Sequence, residues 1–118
     1  MLSGVLILDK PAGFTSHDAV QKARRILGIS RIGHLGTLDP LATGVLPLVV
    51  GGATRLAQFF RHRDKLYEGV MRWGFATDTY DRTGTPASAD DPARVTRADV
   101  EVALQELTGN IQQIPPAI

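Results

Sequence analysis

Residues 33–44 read GHLGTLDPLATG, and they lie between two apolar runs, 5–8 and 45–50. Glycines at 33, 36 and 44 open backbone conformations closed to other residues, and Pro40 fixes its own φ. A segment of this composition reads as neither helix nor strand. It therefore predicts a long ordered loop between two sheet-forming runs. The loop holds one carboxylate, Asp39. Loops of this length inside a small domain commonly exist to present a functional group. From spacing alone the simpler reading is an Asx-turn, in which Asp39 caps its own backbone, since Asp-Pro pairs often start turns.

The rest of the chain predicts a sheet with flanking helices. The run 5–8 reads as a buried strand, closed by Pro11 and Gly13. Thr15-Ser16-His17-Asp18 fits a capping box, and Ala19, Val20, Ala23, Ile26 and Leu27 follow at helical spacing until Gly28. The run 45–50 reads as a second buried strand, with Pro47 placing it at an edge or a bulge. Gly51-Gly52 opens a second helix with Leu56, Ala57 and Phe60 as its apolar stripe. Residues 66–75 alternate as a third strand, with Tyr67, Gly69, Met71, Trp73 and Phe75 on one face. A long polar stretch, 76–94, follows. Thr96 and Asp99 form a second capping box before a helix carrying Val100, Ala103, Leu104 and Leu107, and Pro115-Pro116 leaves the tail extended. This alternation predicts an α/β domain on a mixed sheet.

With 118 residues, the chain has room for one small core. No apolar run is long enough to span a bilayer, and Asp9 and Lys10 interrupt the first apolar stretch too early for a signal peptide. Without cysteine there is no disulfide framework and no Cys-based zinc site; a cytoplasmic address is the default. The net charge of +1 hides an asymmetry: residues 1–72 hold ten Lys and Arg against five Asp and Glu, and residues 73–118 hold three against seven. Lys22, Arg24 and Arg25, and Arg61, Arg63 and Lys65, form basic clusters that would attract phosphate backbones, although composition alone favours ordinary solvated surface. Gly51-Gly52 lacks the remaining residues of a P-loop or dinucleotide fingerprint, so a nucleotide cofactor is not expected.

Four segments, in order, resemble the motifs of the TruB-type tRNA pseudouridine synthases. They are GVLILDKPAGFTSHDAV (4–20), the loop 33–44, its continuation GVLPLVVGGATR (44–55), and KLYEGVMRWGFATDTYDRTG (65–84); the tail GNIQQIPPAI resembles the lead-in to the family's next motif. The resemblance covers essentially the whole chain. It implies the N-terminal part (1–118) of a pseudouridine synthase catalytic domain, an incomplete sheet whose edge is exposed or covered by a contact, and absence of the rest of that domain and of the C-terminal RNA-binding module. It implies isomerisation of one uridine in the T-arm loop of tRNA, with the target base flipped out. No cofactor or metal is implied, because the product is an isomer of the substrate.

By the same resemblance, Asp39 matches the catalytic aspartate and acts as nucleophile. Tyr67 matches the tyrosine that packs on the target base, whereas its pattern alone makes it a core tyrosine. His34 matches a histidine that helps hold the RNA loop. Lys10, Pro11, Thr37 and Pro40 are supporting residues; Lys10 braces the site, Pro11 fixes its loop, and Thr37 and Thr43 hydrogen-bond within the catalytic loop. Arg55, Arg61, Arg63 and Lys65 are candidate phosphate contacts. The fragment alone is expected to be inactive and the full-length protein monomeric. The absence of a long leader favours the bacterial stand-alone enzymes over guide-RNA-dependent relatives. A non-catalytic RNA-binding or tRNA-folding module is the alternative reading.

Overall fold

The structure is a computed structural model that describes residues 1–60, 62–89 and 94–115. Arg61 and Pro116, named in the expectations above, and residues 90–93 of the polar stretch lie outside the described residues. The chain divides into two units, Met1–Leu66 and Tyr67–Ile118.

The first unit is built on a three-stranded sheet. Strands β1 (Gly4–Lys10), β2 (Ile32–His34) and β3 (Gly44–Val50) stand in the order β1-β3-β2, and both pairings are antiparallel. Helix α1 (Ser16–Leu27) crosses between β1 and β2, and 3-10 turns over Gly51–Phe60 follow β3. Leu46, Leu48 and Val50 of β3 and Ile32 of β2 pack on Ala19, Val20 and Ala23 of α1, with Leu8, Ile29 and Leu38 at the margin. Leu46 and Leu48 are almost fully buried, and each such side chain contributes roughly 1.5–3 kcal/mol.

Local signals account for α1. Its N-cap Thr15 accepts from the Asp18 N–H at 2.9 Å, and the Asp18 carboxylate accepts from the Thr15 N–H at 2.9 Å, a reciprocal box. Gly28 ends the helix in the left-handed region at φ 65°. The same box recurs at Thr96 and Asp99, opening α2 (Arg97–Glu106) in the second unit.

Several expectations are corrected. The sheet is antiparallel throughout its described strands, and residues 32–34, at the front of the glycine-rich loop, form the short strand β2. Pro47 lies in the central strand, paired with Ile7, not at an edge. The reason is local: the Pro47 carbonyl accepts from the Leu35 N–H at 2.9 Å, just past the end of β2. N–H and C=O of one antiparallel residue face the same neighbour. The donor that proline lacks would therefore have pointed where β2 stops. The expected helix after Gly51 is a run of 3-10 turns; the Thr54 hydroxyl donates to the Gly51 carbonyl at 2.9 Å, and two successive glycines disfavour the α-helix.

The third strand expected over 66–75 is not formed. Among the described residues 67–75 form no strand ladder, and Leu66, Val70 and Met71 are largely exposed. Alternation supplies a face, but a strand exists only with a hydrogen-bonded neighbour. Likewise none of the α2 residues is buried, and Leu104 is exposed.

The polar stretch of the second unit does contain ordered structure. A bridge pairs Thr77 with Pro86, and within it Asp81 accepts from the Thr79 hydroxyl at 2.8 Å and the Thr83 N–H at 2.8 Å, and also from the Thr83 hydroxyl. These bonds, led by the Thr83 hydroxyl and N–H, hold the Asp81 carboxyl below its ordinary value of 3.8. A depressed folded pKa adds stability that is present above the ordinary value and lost as pH falls through the folded one. Protection of the Thr83 amide should accordingly hold at pH 5 and fall as pH drops through the lowered Asp81 value, below 3.8. An NMR titration in which Thr83 protection is flat across that range would refute the anchoring role of Asp81.

Candidate active site

The Asp39 loop leaves β2 and returns into β3, so both of its ends are held by the sheet. The Asp39 backbone carbonyl accepts from the Ala42 N–H at 3.0 Å, closing a turn through Pro40. The carboxylate takes no part in that turn. Asp39 is exposed, and among the described residues its side chain has no hydrogen-bond partner. The Asx-turn reading of the sequence is thus set aside: backbone alone makes the turn, and the carboxylate is presented to solvent.

Its neighbours in sequence are pinned. Lys10, at the end of β1, is fully buried, and its ammonium donates to the carbonyls of Phe14 at 2.6 Å, Pro11 at 3.0 Å and Pro40 at 3.3 Å. An ammonium has three donors, and three carbonyls meet them. The Pro40 carbonyl also accepts from the Gly13 N–H at 2.7 Å. Gly13 has φ 85°, a left-handed conformation that lets the chain turn after Pro11 and bring its amide to Pro40. Lys10, Pro11 and Pro40 are therefore brought together in one hydrogen-bonded knot.

On the other side of Asp39, the Leu38 N–H donates to the Ser16 hydroxyl at 2.9 Å, and that hydroxyl donates to the Leu38 carbonyl at 3.2 Å. Sequence reasoning missed Ser16. The signal available was only its place directly after the N-cap, where a serine ordinarily needs no further explanation.

His34 is half-buried at the end of β2, and its Nδ1 donates to the Gly36 carbonyl at 2.5 Å. A carbonyl only accepts, so this bond places the proton on Nδ1 and, in the neutral ring, leaves Nε2 as an acceptor. Lys65 lies across the same part of the loop: its Nζ donates to the Thr37 carbonyl at 3.3 Å, and a Cβ on Gly36 would meet Lys65 Cε at 3.0 Å. Gly36, with φ 95°, gives room for that lysine. Thr37 serves through its carbonyl. Among the described residues neither the Thr37 nor the Thr43 hydroxyl bonds to the loop, which corrects the expectation for both.

The basic residues divide by use. Arg24 is tied internally, donating to the Ile32 carbonyl at 2.9 Å, and Arg31 donates to the Thr54 hydroxyl at 2.7 Å. Lys22 lies over the Phe14 ring at 5.6 Å, Arg63 lies over the Phe60 ring at 5.7 Å, and Arg25 and Arg55 are exposed. Tyr67 belongs to the second unit and is 59% exposed, so the core-tyrosine reading does not hold. No helix among the described residues is long and apolar enough to cross a membrane.

Chemically, one solvent-facing carboxylate on a loop tied down at both flanks suits covalent or acid–base catalysis by a single acid. Comparison with known proteins then supplies the family. The description "TruB family pseudouridylate synthase (N terminal domain)" matches residues 24–118. The chain is 51% identical over 117 residues to a tRNA pseudouridine synthase B of Solibacter usitatus, covering 99% of this chain and 40% of that protein. It is also 51% identical over 116 residues to one of Bacillus cytotoxicus, covering 98% of this chain and 38% of that protein. Among solved structures, an H/ACA RNP bound to a substrate RNA containing 2'-deoxyuridine aligns at a TM-score of 0.46 with 50% identity, over 48% of this chain and 18% of that one. The chain belongs to the TruB family of pseudouridylate synthases. It spans about 40% of the length of the first of these relatives.

Proposed function

We propose that this chain forms the first part of the catalytic domain of an enzyme that converts one uridine in the T-arm loop of tRNA to pseudouridine. The observation that carries the reading is Asp39: an exposed carboxylate, free of structural bonds among the described residues, between two residues whose backbones are held. Two curated relatives of about half-identical sequence bear the name tRNA pseudouridine synthase B.

The reaction breaks the bond from N1 of uracil to C1′ of the ribose, turns the base, and joins C5 to C1′. The proton on C5 is lost and N1 gains one, so atoms balance without an added group. Asp39 is the nucleophile that captures the detached sugar or base. The target base must leave its stack to reach it, and Tyr67 would support the flipped base by stacking, worth roughly 1–3 kcal/mol per base. His34 and Lys65 would contact the RNA beside the loop. Lys10, Pro11 and Pro40 keep the loop in shape.

Mapping pseudouridine in tRNA from cells lacking the full gene tests the reading. One T-arm position should lose its modification and regain it when the gene is restored; a complete modification pattern without the gene would refute the assignment. Residues 1–118 alone should give little or no tritium release from [5-³H]uridine-labelled tRNA. Near-normal turnover by that piece would show that the remainder of the longer relatives is dispensable.

A further inference from the structure

A nucleophile must stand in one place, and a side chain outside the loop does this for Asp39 through the backbone. Ser16 is 3% exposed, and its hydroxyl meets both backbone polar groups of Leu38, which lies 22 residues away. A hydroxyl offers one donor and two lone pairs, so it serves Leu38 as a neighbouring strand would. We propose that Ser16 is a positioning residue for the Asp39 carboxylate, a role that rests on the function proposed above.

Helix α1 does not need this hydroxyl. Thr15 and Asp18 already cap it, and Ala19, Val20 and Ala23 hold it to the sheet. The loop does need it. Leu35 is tied to Pro47, and Pro40 is tied to Gly13 and Lys10. Between those anchors, among the described residues, the Gly36 and Thr37 carbonyls bond the His34 and Lys65 side chains. Among the described residues, Ser16 supplies the hydrogen bonds to the backbone of the residue directly before Asp39, at the core margin where the Leu38 side chain packs. Without it, rotation about the bonds joining Leu38 to Asp39 would swing the carboxylate while Pro40 stayed in place. The Leu38 N–H would also need a new partner, which favours a displaced loop.

The test uses the full-length enzyme under single-turnover conditions with enzyme saturating over tRNA. Ser16→Ala should slow the chemical step about 10- to 100-fold, the scale of a misplaced reacting group, with the Kd for tRNA changed by less than about twofold. Ser16→Thr, which keeps the hydroxyl, should stay within about threefold of the unaltered rate. Ala23→Gly weakens α1 without touching the loop and should leave the rate nearly intact when measured below its Tm. An unaltered rate in Ser16→Ala, or equal losses in Ser16→Ala and Ala23→Gly, would overturn the proposal. Should Ser16→Ala not fold, Ser16→Cys decides, since a thiol is a weak donor; a several-fold loss supports the role and an unaltered rate overturns it. Asp39→Asn run in parallel separates the two readings. Loss of turnover there with an intact Ser16→Ala removes only the positioning role, and an intact Asp39→Asn removes both.

Discussion

Asp39→Asn in the full-length enzyme is expected to lower pseudouridine formation by at least about 1,000-fold, the scale of losing a nucleophile. Asparagine keeps the size and shape of the side chain and loses the charged oxygen. Because that carboxylate makes no structural hydrogen bond among the described residues, the substitution should change stability by no more than about 0.5 kcal/mol. The turn itself is made by the Asp39 carbonyl and the Ala42 amide, which asparagine leaves in place. Binding of tRNA should therefore survive with its usual salt sensitivity. Tritium release measured beside a filter-binding titration checks both halves. Turnover equal to the unaltered enzyme would remove the nucleophile assignment and would favour a module that only binds RNA.

Lys10→Met is expected to act in the opposite way, through the fold. The ammonium is fully buried and bonds three carbonyls, and among the described residues only the Pro40 carbonyl has a second donor, the Gly13 amide. Methionine matches the length of the side chain but donates nothing, so the Pro11 and Phe14 carbonyls lose their lysine bonds. Hydrogen bonds to charged groups contribute roughly 1.5–3 kcal/mol each, and the released burial cost of the charge offsets part of that. A net loss of about 3 kcal/mol is expected, read as a lower urea midpoint in the full-length protein. Activity should fall even where the protein remains folded, since Pro40 follows Asp39 directly. A urea midpoint unchanged by Lys10→Met would show that the knot contributes nothing.

Much of the first unit was legible from local chemistry. The capping box at Thr15 and Asp18, the stop at Gly28, and the apolar runs of β1 and β3 each act within a few residues, so their signatures lie in adjacent letters; β1 forms as a strand, but Val5, Leu6 and Ile7 are exposed, not buried as the run suggested. Elements that depend on distant partners were read wrongly or not at all. The three residues of β2 are too few to show a period, and their pairing with β3 is what makes them a strand. Residues 66–75 show the reverse: a clear alternation without a neighbouring strand among the described residues, and hence no strand. Pro47 looked like an edge residue because the length of β2 cannot be seen from β3.

By resemblance, the order of motifs singled out Asp39, Lys10, Pro11, His34 and Tyr67 as candidates from the amino-acid sequence alone. It also marked family, since four matching segments in one order leave little room for chance. What the letters could not say was whether Asp39 capped its own turn or faced solvent, because both choices share the same residues and differ only in side-chain rotation. Tertiary structure decided that, by letting backbone close the turn and by setting Ser16 against Leu38 and Lys10 against Pro40. Those contacts span 22 and 30 residues of chain. They arise only once α1 and β1 have packed on β3, for a hydroxyl or an ammonium in sequence carries no record of which carbonyl it will meet.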